Sequence, residues 1–284
     1  MSEKNIKIPR LSPSVAKHLL RAPSIAYQYH RLLGDMESEK TDAMRAGSIL
    51  ERFITGYGVD DIVTVDAADW RTKAAREMRD DVEAAGGIAV LAANYDAYKI
   101  AGDILNAKIT GKIDGWQDYE NQIRFEWQSS GVNCSGVLDQ LRIESKAYTI
   151  IDLKKTASAH PKDIQRDIVK YGYDVQYGAY VDAVETAYPH LAGRGKFYFV
   201  FYEAQPPYCV TVAQFDGSMR MLGNSKWTKA KRIWRTCMES GIWPDYVDGV
   251  VTIEAKVYDL EDLEETTEEE LDRMFSGGGA SDEF

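Results

Sequence analysis

The hydrophobic positions of the chain change period several times, and the most informative stretch is residues 136–180. Val137, Leu138, Leu141 and Ile143 alternate imperfectly with polar residues, and Tyr148, Ile150 and Ile151 follow a charged break. This predicts two strands of a β-hairpin that turns at residues 144–147. With the turn centred between Ser145 and Lys146, counting outward puts Asp139 opposite Asp152. Asp152 and Lys154 are two apart on the second strand, so they share a face of the sheet.

Along the rest of the chain, Ser12 and Pro13 read as the cap and first position of a helix over residues 15–20, closed by Ala22-Pro23. A further helix over 24–33 carries Tyr27, Tyr29 and His30. Residues 41–54 form the next, with Met44, Gly47, Ile49, Leu50 and Phe53 on one buried face. Residues 60–109 read as mainly helical, in two runs separated by Gly86-Gly87. A short strand over 124–128 carries Glu126, a candidate extra carboxylate or an ordinary strand charge. After the hairpin, one long helix over 163–187 places Gln176 and Tyr180 at i and i+4 on one face. Aromatic-rich KFYFVFYE at 196–203 and residues 208–215 read as core strands around Pro206-Pro207. Residues 224–240 interleave Lys226, Lys229, Lys231, Arg232 and Arg235 with Trp227 and Trp234. There Trp234 reads as core and the lysines as candidate phosphate contacts.

Length and composition place these elements in one α/β domain: 284 residues can enclose one sizeable core. Cys134, Cys209 and Cys237 are widely spaced, lack C-x-x-C spacing and are odd in number, which suits reduced thiols and a cytoplasmic setting. No long apolar run and no charged-then-apolar leader is seen, so neither membrane nor secretion is expected. The net charge of −11 disfavours nucleic acid only at first sight. Residues 254–284 hold twelve acidic side chains against Lys256 and Arg273, so the body is close to neutral and compatible with a local basic channel. Residues 258–284, with Gly277-Gly278-Gly279, read as an acidic flexible tail with a short helix over 267–275, and residues 1–257 as the folded domain.

Two aspartates facing across a hairpin repel, and a divalent cation offsets that repulsion. Mg²⁺ takes hard oxygen ligands, keeps several waters and needs only one or two carboxylates plus substrate phosphate. Asp139, Asp152 and Lys154 therefore suit metal-dependent phosphodiester hydrolysis, with Lys154 placing the attacking water or stabilising developing charge. The same residues fit a surface hairpin in which Asp139 pairs with Lys154 or Lys155.

The flanks add a resemblance. GVLDQL, IIDLKKT and YGYDVQYGAY are similar, in order, to the G-x-x-D, [DE]-x-K and Q-x-x-x-Y motifs of the PD-(D/E)XK nucleases. The stretch resembles most the exodeoxyribonuclease VIII (RecE-type) branch of phage recombination exonucleases, and the similarity extends over roughly residues 10–250. The resemblance implies a restriction-endonuclease-like α/β core, with a mixed central sheet flanked by helices and a helical N-terminal region. It also implies a Mg²⁺-dependent DNA exonuclease, with Mn²⁺ as a substitute, that resects duplex ends 5′-to-3′. Asp139 and Asp152 would bind metal, Lys154 would serve the water, and Gln176 and Tyr180 would support them. In AGSILERF the family's usual histidine is replaced by Glu51, a candidate metal ligand or else a surface partner of Arg52 or Arg45. Arg10, Ser12 and Ser14 are candidates for receiving DNA, although Ser12 also reads as an ordinary cap. A ring-shaped homo-oligomer and a single-strand-annealing partner are further implications. Iron–sulfur relatives are disfavoured for want of a cysteine cluster. A structure-specific endonuclease and a catalytically silent DNA-binding protein of the same fold are the competing readings.

Overall fold

The structure is a computed structural model that describes residues 9–29, 41–257 and 268–276. The chain divides into two compact units, Met1–Asp245 and Tyr246–Phe284. In the first unit, helices α1 (Pro13–Arg21), α2 (Pro23–Tyr29) and α3 (Asp42–Thr55) precede strand β1 (Ile62–Val65) and helix α4 (Lys73–Ala84). Then come β2 (Ile88–Leu91), α5 (Ala92–Thr110), β3 (Glu120–Ser129), β4 (Val132–Ile143) and β5 (Tyr148–Thr156). Helices α6 (Pro161–Lys170) and α7 (Tyr173–Ala187), strands β6 (Gly195–Glu203) and β7 (Val210–Ala213), and helix α8 (Gly217–Ser240) complete it.

Strands β3 to β7 form one mixed sheet in sequence order, antiparallel except for the parallel β5–β6 pair. The right connection for a parallel pair is a crossover, and α6 and α7 supply it. Alternation decides what each face covers. Ile150 packs with α6, α7 and β6 in a cluster that includes Leu138, Leu141, Tyr180 and Phe199. Its neighbours Ile151 and Leu153 face the other way, onto Leu50 and Ile54 of α3 and Leu105 of α5. A third cluster gathers α1, α7 and α8 around Trp127 and Trp227. Each fully enclosed aromatic or branched side chain of this kind adds about 1.5–3 kcal/mol.

The two helices α7 and α8 cross where neither carries a side chain. A Cβ on Gly178 would lie 2.5 Å from the Gly223 carbonyl oxygen, and one on Gly223 would lie 2.4 Å from the Asp174 carbonyl oxygen. Only glycine admits that approach of two backbones.

Several expectations are corrected. Residues 60–109 are not all helical: Ile62–Val65 and Ile88–Leu91 pair in parallel as a separate two-stranded sheet. The helix expected over 163–187 is two helices, because Gly172 adopts φ 67° and breaks the run. The strand expected over 124–128 is twice as long, and the one over 208–215 is shorter. Ser12 does cap α1, accepting the Val15 N–H at 3.3 Å, and Thr41 caps α3 through the Met44 N–H at 3.2 Å. On α3 the buried face is Ile49, Leu50, Phe53 and Ile54, whereas Met44 is exposed.

In the second unit, residues 247–256 are exposed and lack regular structure, and α9 (Glu268–Ser276) answers to the short helix expected over 267–275. Of the other expectations, residues 1–8, residues 30–33 and the tail segments 258–267 and 277–284 lie outside the described residues.

Candidate active site

The hairpin register is the expected one as far as it runs. Ile143 pairs with Tyr148, and each rung follows to Gln140 with Ile151, where the ladder ends. Asp139 and Asp152 occupy the next position, beyond the last rung. There Asp139 Oδ2 accepts the backbone N–H of Leu153 at 2.9 Å, so a side chain takes up the donor just past the ladder. The facing strand breaks at the same level. The β3–β4 pairing omits Gln122 and Asp139, and Gln122 has φ 52°, a left-handed value uncommon outside glycine. On β4, Cys134, Leu138 and then Leu141 contribute to the clusters on the α7 side, so strict alternation slips by one at Asp139–Gln140. Asp139 therefore leaves the strand at an irregular point and remains partly accessible.

Asp152 is fully enclosed, and each of its oxygens is engaged. Oδ1 accepts from Gln176 Nε2 at 2.8 Å, and Oδ2 pairs with the Lys154 ammonium. Gln176 also donates to Tyr180 Oη at 3.0 Å, and Tyr180 donates to the Val137 carbonyl at 2.6 Å. The i, i+4 pair on α7 thus braces both strands of the hairpin. Gly136 makes room for it, since a Cβ there would stand 3.0 Å from Tyr180 Cε1. This is a packing reason for the glycine three residues before Asp139.

The electrostatics follow from burial and proximity. Burial, then the charge of Asp152, pushes the Asp139 carboxyl well above the usual range. Burial also raises Asp152, against the opposing pull of Lys154. Burial alone would lower Lys154, but Asp152 and Asp139 outweigh it and hold the ammonium charged. An enclosed carboxylate and a partly accessible one that repel each other make a place for a cation open to solvent on the Asp139 side, and their hard oxygens suit Mg²⁺ completed by waters. Asp139 and Asp152 are the residues that would hold it.

Glu51 reaches this centre from α3, on the opposite side from α7. Its carboxyl is raised mainly by burial, and it feels Lys154, Asp152 and Arg52. Glu51 Oε1 accepts from Gln122 Nε2 at 3.0 Å, which gives the left-handed Gln122 a use. The surface pairing considered for Glu51 is not what the arginines do: Arg52 binds the Gly58 carbonyl and Asp61, and Arg45 binds Glu83 at 2.6 Å. Among the described residues, no three His, Cys, Asp or Glu side chains converge as a ready metal cage. Glu51 therefore stands beside the aspartate pair rather than within a closed set.

Other sequence candidates lie apart from this centre or are otherwise occupied. Arg10 pairs with Glu126 at 2.9 Å, so Glu126 is not turned toward the aspartates. Ser12 is committed as a cap, and Ser14 is exposed on α1. Lys229 is exposed on α8, while Lys226 pairs with the buried Asp174 at 2.5 Å. Lys231 needs correction as a phosphate contact. It is only 6% exposed, and its ammonium binds Ser129 Oγ at 2.7 Å and Asp182 Oδ2 at 3.3 Å. The same Asp182 oxygen accepts both Trp127 and Trp227 indole N–H groups, at 3.0 and 2.8 Å, so Trp227 is core as well as Trp234.

Two participants escape sequence reasoning. Lys17 on α1 brings its Nζ 5.4 Å from the centroid of the Tyr173 ring, and Lys154 Nζ lies 5.1 Å from the same centroid. Gln122 is the other. Its only sequence signal is a polar residue near the start of a strand, and its role depends on a backbone angle that no residue pattern announces.

Comparison with a solved structure supports the fold. A protein of Eubacterium rectale named "Putative exonuclease" superposes with a TM-score of 0.55 at 16% identity, over 92% of this chain and 97% of its own. A phage related exonuclease of Haemophilus somnus 129PT aligns at 12% identity over 82% of this chain and 97% of its own, with a TM-score of 0.32. No curated protein sequence matches the chain. With a five-stranded mixed sheet, flanking helices, and an aspartate, aspartate and lysine gathered beyond the last hairpin rung, the match of a family model to residues 12–255 is as the fold requires: the chain belongs to the family described as PDDEXK-like domain of unknown function (DUF3799).

Proposed function

We propose that this protein is a metal-dependent nuclease that hydrolyses phosphodiester bonds at the ends of duplex DNA, as in the RecE-type exonucleases that its motifs resemble. The observation that carries the reading is the grouping of Asp139, Asp152 and Lys154 just past the end of the β4–β5 ladder, braced by Gln176 and Tyr180. A divalent ion held by the two aspartates would supply an activated water and polarise the scissile phosphate. The chain's own contributions are distinct. Lys154 presents a fixed cation where negative charge grows on the phosphoryl oxygens. Gln176 fixes the orientation of Asp152, and Tyr180 ties that helix to the strand bearing Asp139. Glu51 lies on the far side of the pair and is suited to bind a metal-held water.

Resection in the 5′-to-3′ direction, assembly as a ring and pairing with a single-strand-annealing protein belong to the same proposal, through the resemblance alone. Among the described residues no helix is long and apolar enough to cross a membrane.

The test is digestion of end-labelled linear and closed-circular duplex DNA, with and without Mg²⁺ or Mn²⁺. Consumption of linear DNA from its ends only with metal is expected. Nicking of closed circles at a comparable rate would replace this reading with an endonuclease. No cleavage of either would leave a DNA-binding relative of the fold.

A further inference from the structure

At the end of the sheet away from the aspartates, α7, α8 and the first residues of β5 and β6 border a cavity of about 520 Å³. Tyr148 lines it and precedes Asp152 by four residues on β5, which at roughly 3.3 Å per residue sets the cavity about 13 Å from that carboxylate. The floor is aromatic, with the ring centroids of Tyr177 and Phe197 5.2 Å apart. Glycine shapes the rest. Gly195 lets the Tyr148 ring lie against the backbone, since a Cβ there would stand 2.1 Å from Tyr148 Cζ. Gly193 and Gly217 are also on the lining, and a Cβ on either would meet nothing within 4 Å, so the backbone borders open space.

The polar groups of the cavity are fixed but not spent. Glu185 Oε1 accepts from the Tyr148 hydroxyl and from the Gly193 N–H, each at 2.9 Å, and these bonds hold the carboxylate in place. Its Oε2 has no hydrogen-bond partner among the described residues. The exposed Lys196 has neither a hydrogen bond nor an ion pair among them, and Arg220 commits only Nε, to the Asp216 carbonyl at 3.3 Å. Two cations and a carboxylate thus line one cavity without pairing with each other.

A ligand that satisfies all of these carries an anion at one end, a hydrogen-bond donor at the other and a flat body between them. A free phosphate would meet the cations and leave the aromatic floor and Glu185 unused. A nucleotide meets every requirement: its phosphate suits a guanidinium and an ammonium, and a base amino group suits a carboxylate. The volume falls in the range of small-molecule sites, about 300–1,000 Å³.

We infer that this cavity binds a free nucleoside monophosphate, with the phosphate on Lys196 and Arg220, the base over Tyr177 and Phe197, and a base amino group on Glu185 Oε2. This deepens the nuclease reading and rests on it for the source of the ligand, a mononucleotide released from a DNA end. The binding itself is measured without cleavage.

The experiment is titration calorimetry on the full chain in EDTA. The ligands are deoxycytidine monophosphate, thymidine monophosphate, inorganic phosphate and a short single-stranded oligonucleotide. Deoxycytidine monophosphate is expected to saturate one site per chain and to bind about tenfold tighter than inorganic phosphate. It should bind severalfold tighter than thymidine monophosphate, which presents a carbonyl oxygen where cytosine presents its amino group. Lys196→Gln and Arg220→Gln change exposed side chains outside the catalytic group, and each should weaken the nucleotide about tenfold. Glu185→Gln keeps an oxygen for Tyr148 and Gly193 but offers an amide donor to the base, so it should turn the preference toward thymidine monophosphate. No saturable binding of deoxycytidine monophosphate, or wild-type affinity in both cation variants, would overturn the site. An unchanged base preference in Glu185→Gln would overturn it, as would equal affinity for inorganic phosphate. Binding of the oligonucleotide alone, lost in the two cation variants, would replace it with a strand contact. Nucleotide affinity that moves with Asp139→Asn and not with the cation variants would put the ligand at the aspartates and overturn the site as well. Nucleotide binding as expected, in a wild type that cleaves no DNA under any condition, would uphold the site and reject the nuclease reading.

Discussion

Gln176 on α7 donates to Asp152 Oδ1 on β5 across 2.8 Å, so a helix on the face of the sheet sets the orientation of a carboxylate at the sheet's end. The bond also leaves Oδ2 for Lys154. Removing the amide should free the carboxylate to rotate without emptying the site.

Gln176→Ala is therefore expected to lower kcat by about 10- to 100-fold, in the range seen when a residue orienting a metal ligand is lost. Gln176→Glu should be worse, because it sets a further carboxylate against the enclosed Asp152. Tyr180→Phe should cost about 1 kcal/mol of stability through the lost bond to the Val137 carbonyl. Steady-state kinetics and denaturant unfolding check these, and an unchanged rate in Gln176→Ala would reject the orienting role.

Asp152 and Lys154 form a buried ion pair, and such pairs lose most when only one member is removed. Lys154→Met alone should destabilise by about 3 kcal/mol and reduce cleavage by about 10²–10³. The double variant Asp152→Asn, Lys154→Met should unfold at higher denaturant than Lys154→Met while remaining inactive. Strict additivity of the two single changes in a double-mutant cycle would contradict the pairing.

Glu51 and Gln122 give a prediction with two opposite signs. Glu51→Gln should raise the Mg²⁺ concentration needed for half-maximal activity, with recovery at high metal. Gln122→Gly relieves the left-handed backbone at φ 52° and should add roughly 0.5–1 kcal/mol of stability. It also removes the bond to Glu51 and should raise the Mg²⁺ requirement in the same direction. A metal titration and a urea melt on each variant suffice. Wild-type Mg²⁺ dependence in both would place Glu51 outside the metal chemistry.

Lys17 carries a charge that the fold disfavours. Burial, then repulsion from Lys154, lowers its pKa to about 8, while Asp152 and Asp174 pull the other way. The unfolded chain keeps the ordinary lysine value of 10.5. Below pH 8 both states are protonated and the folded state carries the full penalty. As pH rises from 8 to 10.5 the folded state binds fewer protons than the unfolded, and the penalty is relieved. Lys17→Met should thus stabilise at pH 7 by on the order of 2 kcal/mol, after allowance for solvent screening, and by little near pH 10.5. Unfolding curves at the two pH values decide it, since equal gains at both would attribute the effect to packing.

Gly178→Ala places a methyl 2.5 Å from a backbone oxygen of α8, which no rotamer can avoid. Overpacking of this kind costs about 1–3 kcal/mol or more, and calorimetry should show Tm lowered by roughly 3–10 °C.

How far these features could be read from residues alone depends on their range. The hairpin register was legible because a turn and two hydrophobic runs fix it locally. The slip at Asp139 was present as well, in the imperfect alternation of Val137, Leu138 and Leu141, but its meaning needed the facing Gln122. The break at Gly172 was hidden because apolar spacing continues through it on both sides. Four-residue β1 and β2 are too short to interrupt a helical pattern. Lys231 was misplaced because lysine beside tryptophan composes equally well as a surface contact and as a buried bond to Asp182, and the choice rests on α8 meeting β3. Lys17 has no local mark at all, since it joins the site only where α1 crosses the start of α7.

The glycine crossing of α7 and α8 bears on how this scaffold can change. Gly178 lies two residues beyond Gln176, and Gly223 lies three before Lys226. Exchanging either glycine alone carries that cost, and exchanging both makes the clash worse, so every stepwise substitution away from the crossing is opposed. The spacing between the bracing amide and the Lys226–Asp174 ion pair is inherited as one block. On the other side of the sheet, α3 meets the centre through side chains, so Glu51 and its neighbours can drift one residue at a time. Variation in metal preference should accordingly accumulate on α3, while the α7–α8 block passes unaltered between relatives and offers a fixed chassis to anyone grafting a new specificity onto it.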